Sequence, residues 1–148
     1  VGISTTWIAL LCAAHNTIKV VSTYFGGIVS DRVGRRPMML SGWLFYALIY
    51  ALFGFIQNEI GLIAIFLAYG IYFGLTEPVD RAWVADLVPE KYRATSFGYY
   101  HGTIGLAALP ASLLFGAIWY EFGTSAAFLT GACLALLASA ILLFIPSK

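Results

Sequence analysis

The chain has 148 residues, 61% of them hydrophobic and 10% charged, with a net charge of +1 and a mean hydropathy of +0.88. A soluble domain carries about 25% charged residues, so these charges cannot clothe a water-exposed surface, and lipid is the solvent that fits. With so small a net charge, no basic or acidic field suggests nucleic acid or another polyionic partner.

A helix needs about 17–25 apolar residues to cross a bilayer core of about 30 Å. Five stretches qualify, predicting an all-α, polytopic membrane protein. The first covers about residues 4–30 and ends at the polar run Asp31–Arg36. Pro37 follows where a first-turn proline is tolerated, and the second span covers about 38–56. Gln57, Asn58 and Glu59 interrupt the pattern before a third span at about 60–86. Pro89 to Arg93 form a loop, the fourth span covers about 94–119, and Glu121 to Thr124 turn the chain into a fifth at about 125–145. Loops this short make neighbouring helices antiparallel. The chain begins with Val and shows no signal-peptide pattern, so it is read as an internal piece of a longer polypeptide.

The basic residues set the orientation. Arg32, Arg35, Arg36, Lys91, Arg93 and Lys148 fall on one side, whereas the opposite loops hold Glu59 and Glu121 and no Lys or Arg. The basic side is expected to be cytoplasmic, with the C-terminus inside. Trp7, Trp119 and Tyr120 suit the outer interface, and Trp83 and Tyr92 the inner one. Cys12 and Cys133 lie in apolar runs and offer neither a disulfide framework nor metal spacing; they read as small buried hydrophobes.

Ionisable residues inside spans are costly and usually face a bundle interior or a watered cavity. The second and fifth spans have none and are expected at the lipid-facing periphery. The first carries His15 and Lys19, with Asn16 as a polar neighbour, the third Glu77, Asp80 and Arg81, and the fourth His101. Lys19, Glu77 and His101 each lie about 12 residues from a basic-side turn, roughly 18 Å along the helix, so all three share a layer near mid-bilayer. The set His15, Asn16, Lys19, Glu77, Arg81 and His101 is the candidate cavity, substrate or proton site, with Glu77 the preferred proton carrier. Its structural alternative is internal neutralisation of Glu77 by Arg81 at i, i+4. Pro78 is expected to disturb the third helix and Pro110 to kink the fourth. Gly98, Gly102, Gly105, Ser112 and Gly116 form a small-residue stripe on the fourth span, matched by Ser22, Gly26 and Ser30 on the first, and both suit close helix packing.

Between the first two spans stands Gly27-Ile28-Val29-Ser30-Asp31-Arg32-Val33-Gly34-Arg35-Arg36. It resembles the G-x-x-x-D-R-x-G-R-R signature of the major facilitator superfamily, and every signature position matches. Asp86-Leu87-Val88-Pro89-Glu90-Lys91-Tyr92-Arg93 resembles the acidic-x-x-Pro-x-x-x-Arg pattern two helices later in the same family. The resemblance covers essentially the whole chain and places it at about the eighth to twelfth helices, most of the C-terminal six-helix bundle. It implies a secondary carrier of a small solute working by alternating access, with the missing N-terminal half as partner, in the cell membrane. It also implies a conformational latch of Gly27, Asp31, Arg32, Gly34, Arg35, Arg36, Asp86 and Arg93. In that latch Gly27 would let another helix pass close, Gly34 would permit a tight turn, and Asp31 would face a helix N-terminus of the other half. The arginines would pair with Asp86, Glu90 or helix C-terminal ends.

The intramembrane set matches no substrate-defining pattern, so the solute stays open, and proton coupling is a further expectation. A membrane receptor or scaffold that kept the fold is the alternative reading. No H-E-x-x-H, G-x-S-x-G or phosphate-loop pattern occurs, so neither enzymatic activity nor a cofactor is expected.

Overall fold

The computed structural model describes residues 5–145, leaving aside the side chain of Thr5. The expected start near residue 4 and Lys148 therefore lie outside the described residues. Helices α1 (Thr5–Val33), α2 (Arg35–Phe55) and α3 (Glu59–Leu87) are followed by a single 3-10 turn, Glu90–Tyr92, and by α4 (Arg93–Phe144). All four helices are long and apolar enough to cross a membrane. The protein is thus an all-α, polytopic membrane protein, with no strand among the described residues.

Local chemistry sets the boundaries. Gly34, between α1 and α2, has φ 100° and ψ 156°, a region essentially reserved for glycine. Pro37 falls in the first turn of α2, where its missing N–H would have no intrahelical partner. At the other end of the molecule Asn58 caps α3, its side-chain oxygen accepting from the Gly61 N–H at 2.6 Å.

α4 has 52 residues, about 78 Å if straight, yet Gly123 adopts φ 86° and ψ 172° and interrupts it. The rings of Phe115 and Phe128 stand 5.5 Å apart, and those of Trp119 and Phe128 5.9 Å. Thirteen residues of straight helix would hold the first pair roughly 20 Å apart, so the chain doubles back at Gly123. α4 is a helical hairpin with arms at 93–122 and 124–144. α4 continues through Pro110, as α3 continues through Pro78.

α1 and α3 run parallel and meet along small residues. A Cβ added to Gly74 would overlap Ser22, and one added to Gly26 would strike the Gly74 carbonyl oxygen. That oxygen has no intrahelical donor, because Pro78 stands where the i+4 N–H would be; Gly26 lets α1 close over it. Ser22 and Gly26 of the α1 stripe therefore serve the α1–α3 contact through Gly74. The α4 stripe does not close on anything described: nothing lies within 4 Å of a Cβ at Gly98, Gly102, Gly105 or Gly116.

α2 packs against α3 and the second arm of α4, with Met38, Met39, Val79 and Leu142 as the core. Its other face presents Leu44, Leu48 and Phe55, all at least half exposed. Such extensive exposed apolar surface suits lipid. Cys12 and Cys133 lie on exposed faces as well. Their expected burial is thus corrected, since an apolar side chain facing acyl chains needs no core.

Candidate functional site

Polar side chains on these helices are mostly satisfied by their own backbone. Thr17, Thr23, Thr76, Thr130 and Ser139 each donate to the carbonyl of residue i−4, at 2.8–3.0 Å. Asn16, expected to join the polar interior, does the same with Cys12 at 2.9 Å. These groups need no partner from another helix.

Lys19, midway along α1, does find one. Its Nζ donates to Glu77 Oε1 at 2.8 Å and sits 4.7 Å from the centroid of the Phe73 ring. Glu77 and Phe73 lie one turn apart on α3, so one face of that helix offers the ammonium both a carboxylate and a π-surface. The pair is not sealed in, the Lys19 and Glu77 side chains being 30% and 36% exposed. Arg81, which the spacing offers as an alternative partner of Glu77, is exposed and makes no ion pair among the described residues. Parallel α1 and α3 bring Lys19 level with Glu77, whereas Arg81 points outward.

His15 lies one turn before Lys19. Its ring stacks on Phe66 at 4.7 Å and meets Phe73 edge-on at 6.1 Å. Its Nε2 is the one buried side-chain nitrogen or oxygen without a hydrogen-bond partner among the described residues. His101, expected in the same layer, is exposed on α4, next to Phe97 and Tyr100 at 6.4 and 5.0 Å. The structure thus brings His15, Lys19 and Glu77 together and leaves Asn16, Arg81 and His101 apart.

Sequence reasoning passed over the aromatic wall behind this group. Tyr46 and Tyr50 of α2 stack at 4.0 Å, Tyr46 meets Tyr72 at 4.9 Å, and Tyr69 meets Phe73 at 5.0 Å. The available signal was spacing: Tyr46/Tyr50 and Tyr69/Tyr72/Phe73 each recur on one helical face. A cavity of about 560 Å³ at the Glu59 end includes Phe53, Phe66, Trp119 and Phe128 in its lining. Among the described residues no group of three or more His, Cys, Asp or Glu could hold a metal ion.

The basic loops meet at the other end. Arg35 reaches Asp31 Oδ1 at 2.6 Å and Ser30 Oγ at 3.0 Å through Nη1, and Asp86 Oδ2 at 3.2 Å through Nε. One guanidinium therefore joins the end of α1, the start of α2 and the end of α3. Arg36 donates through Nη2 to the carbonyls of Leu142 and Leu143, both at 2.8 Å, capping the C-terminal end of α4. The side chains of Arg32 and Arg93 make no hydrogen bond among the described residues. Gly27 has nothing within 4 Å of an added Cβ, and the glycine under close approach is its neighbour Gly26. Removing the Arg36 cap with Arg36→Ala should cost about 1.5–3 kcal/mol, the usual worth of hydrogen bonds to a charged group. Thermal unfolding in detergent checks this, with Arg32→Ala as the near-neutral comparison.

Residues 1–148 match the family profile of the Major Facilitator Superfamily. The chain is 36% identical over 119 residues to an uncharacterised MFS-type transporter of Methanocaldococcus jannaschii, a match covering 80% of this chain and 30% of that protein. It is 30% identical over 117 residues to a Na(+), Li(+), K(+)/H(+) antiporter of Planococcus maritimus, covering 75% of this chain and 27% of the relative. It is 32% identical over 122 residues to a multidrug resistance protein of Shewanella oneidensis, covering 82% and 31%. The chain thus spans about a third of the length of the relatives it matches.

Proposed function

The chain belongs to the major facilitator superfamily, and from that premise we propose that it is the C-terminal part of a carrier that moves a small solute across the cell membrane by alternating access. The observation that carries the proposal is the Lys19–Glu77 pair, a charged contact between two spanning helices that is about one-third exposed. Charge at that depth is costly and marks a solute or ion pathway. Five spans follow if each arm of α4 crosses the membrane. The end that gathers Arg32, Arg35, Arg36, Lys91 and Arg93 is then cytoplasmic, with the C-terminus on that side.

The exposed first arm of α4, with His101 and its bare glycine stripe, is the surface assigned to the N-terminal half. Asp31 has a 67% exposed side chain despite its bond to Arg35, so it can also face a helix of that half. A contact of a few kcal/mol there is enough to bias the two states of such a carrier.

Proton coupling through Glu77 is the finer part of the proposal. It is supported by the position of Glu77 beside Lys19 and by the coupling named for the Planococcus relative. Reconstituted full-length protein should show solute flux that depends on a pH gradient, and Glu77→Gln should remove that dependence. Unchanged pH dependence in the variant would eliminate Glu77 as the carrier of the proton, and absence of flux across a broad solute panel would favour a receptor or scaffold.

A further inference from the structure

The Lys19 contact has two halves, and both suit a cation. The ammonium lies against the Glu77 carboxylate at 2.8 Å and over the Phe73 ring at 4.7 Å. A ligand that takes the place of this ammonium therefore meets a negative charge and the negative face of an aromatic ring. Tyr69 and Tyr72 pack against Phe73 at 5.0 and 5.3 Å, which extends the aromatic surface. Asp80 stands one turn beyond Glu77 on α3, and Arg81 points outward. Once Lys19 swings away, the local charge is negative.

An anion would have to be held by Lys19 instead. Withdrawing Lys19 toward it would leave Glu77 unpaired beside Asp80, inside the span, and would leave the Phe73 face with nothing to attract. The long, unbranched Lys19 stem, in a partly exposed position, lets the ammonium leave without moving either helix.

We propose that Lys19 is a built-in competitor for the cargo: its ammonium occupies Glu77 and the Phe73 ring until a monovalent organic cation displaces it. The proposal deepens the carrier reading and rests on it. The occupied state without cargo then carries no unpaired charge at mid-membrane. Arrival of the cation releases Lys19 rather than adding a charge to an empty site, so binding and the swing of the Lys19 side chain are one event.

Two probes of equal size and opposite charge test this, tetraphenylphosphonium and tetraphenylborate, with equilibrium binding to the purified full-length protein as the readout. Wild type is expected to prefer the phosphonium. Lys19→Met removes the competitor and should tighten phosphonium binding at least tenfold. Glu77→Gln should weaken it at least tenfold, and Lys19→Arg should stay near wild type. Loss of phosphonium binding in Lys19→Met, or no change, would overturn the proposal. So would a wild-type preference for the borate, a result that needs no variant to fold. Those failures with solute flux intact would remove the cation assignment and leave the carrier reading in place, whereas absence of flux for every solute would remove the carrier itself.

Discussion

Gly74→Ala should lower the thermal stability of the detergent-solubilised full-length protein far more than Gly70→Ala. A Cβ at Gly74 overlaps Ser22 and comes 2.7 Å from the Thr23 backbone nitrogen, so the α1 backbone itself must move. At Gly70 the added carbon meets the His15 carbonyl at 3.0 Å and the Ile18 methyl at 3.2 Å, which shifts of a few tenths of an ångström relieve. Overpacking costs about 1–3 kcal/mol and sometimes more; about 3 kcal/mol is expected at Gly74 and about 1 kcal/mol at Gly70. Displacing α1 from α3 also separates Lys19 from Glu77, so flux should fall along with stability in Gly74→Ala. Equal unfolding temperatures for the two variants would contradict this packing.

Arg35→Ala should reduce transport by the full-length protein at least tenfold at equal expression. The guanidinium is the shared donor for Asp31, Ser30 and Asp86, and Ser30 is 1% exposed, so no water replaces the lost bond. Without it two carboxylates face each other across the end of the bundle, and α1, α2 and α3 lose their common tie. Arg35→Lys should not restore function, because a single ammonium cannot reach three acceptors set around a planar fork. Arg32→Ala, which removes no described hydrogen bond, should cost less. Initial rates in proteoliposomes check the series, and wild-type flux in Arg35→Ala would remove Arg35 from the latch.

The helices and their ends were readable from the chain because each rests on local chemistry. Gly34 and Gly123 lie at tight turns in a backbone region open to glycine alone, and Asn58 caps the helix it precedes. The meeting of Lys19 with Glu77 was readable in part, since a fixed rise per residue brings the two within side-chain reach. Rotation about each helix axis was not. From spacing alone Arg81 is as good a partner for Glu77 as Lys19, and only the meeting of Gly26 with Gly74 turns Lys19 inward. The same ambiguity hid Phe73, whose role depends on which α3 face meets α1.

The separation of Lys19 from Glu77 also constrains biosynthesis. Lys19 leaves the ribosome 58 residues ahead of its counter-ion, which at about 5–20 residues per second is a delay of roughly 3–12 s. α1 is also the least apolar of the four long helices, and an unpaired lysine at mid-span adds about 2.5–3.5 kcal/mol to its insertion. The helix that delivers the ammonium is therefore the one least able to settle in lipid unaided. Retention of α1 at the translocon until α3 arrives is thus the expected order of assembly.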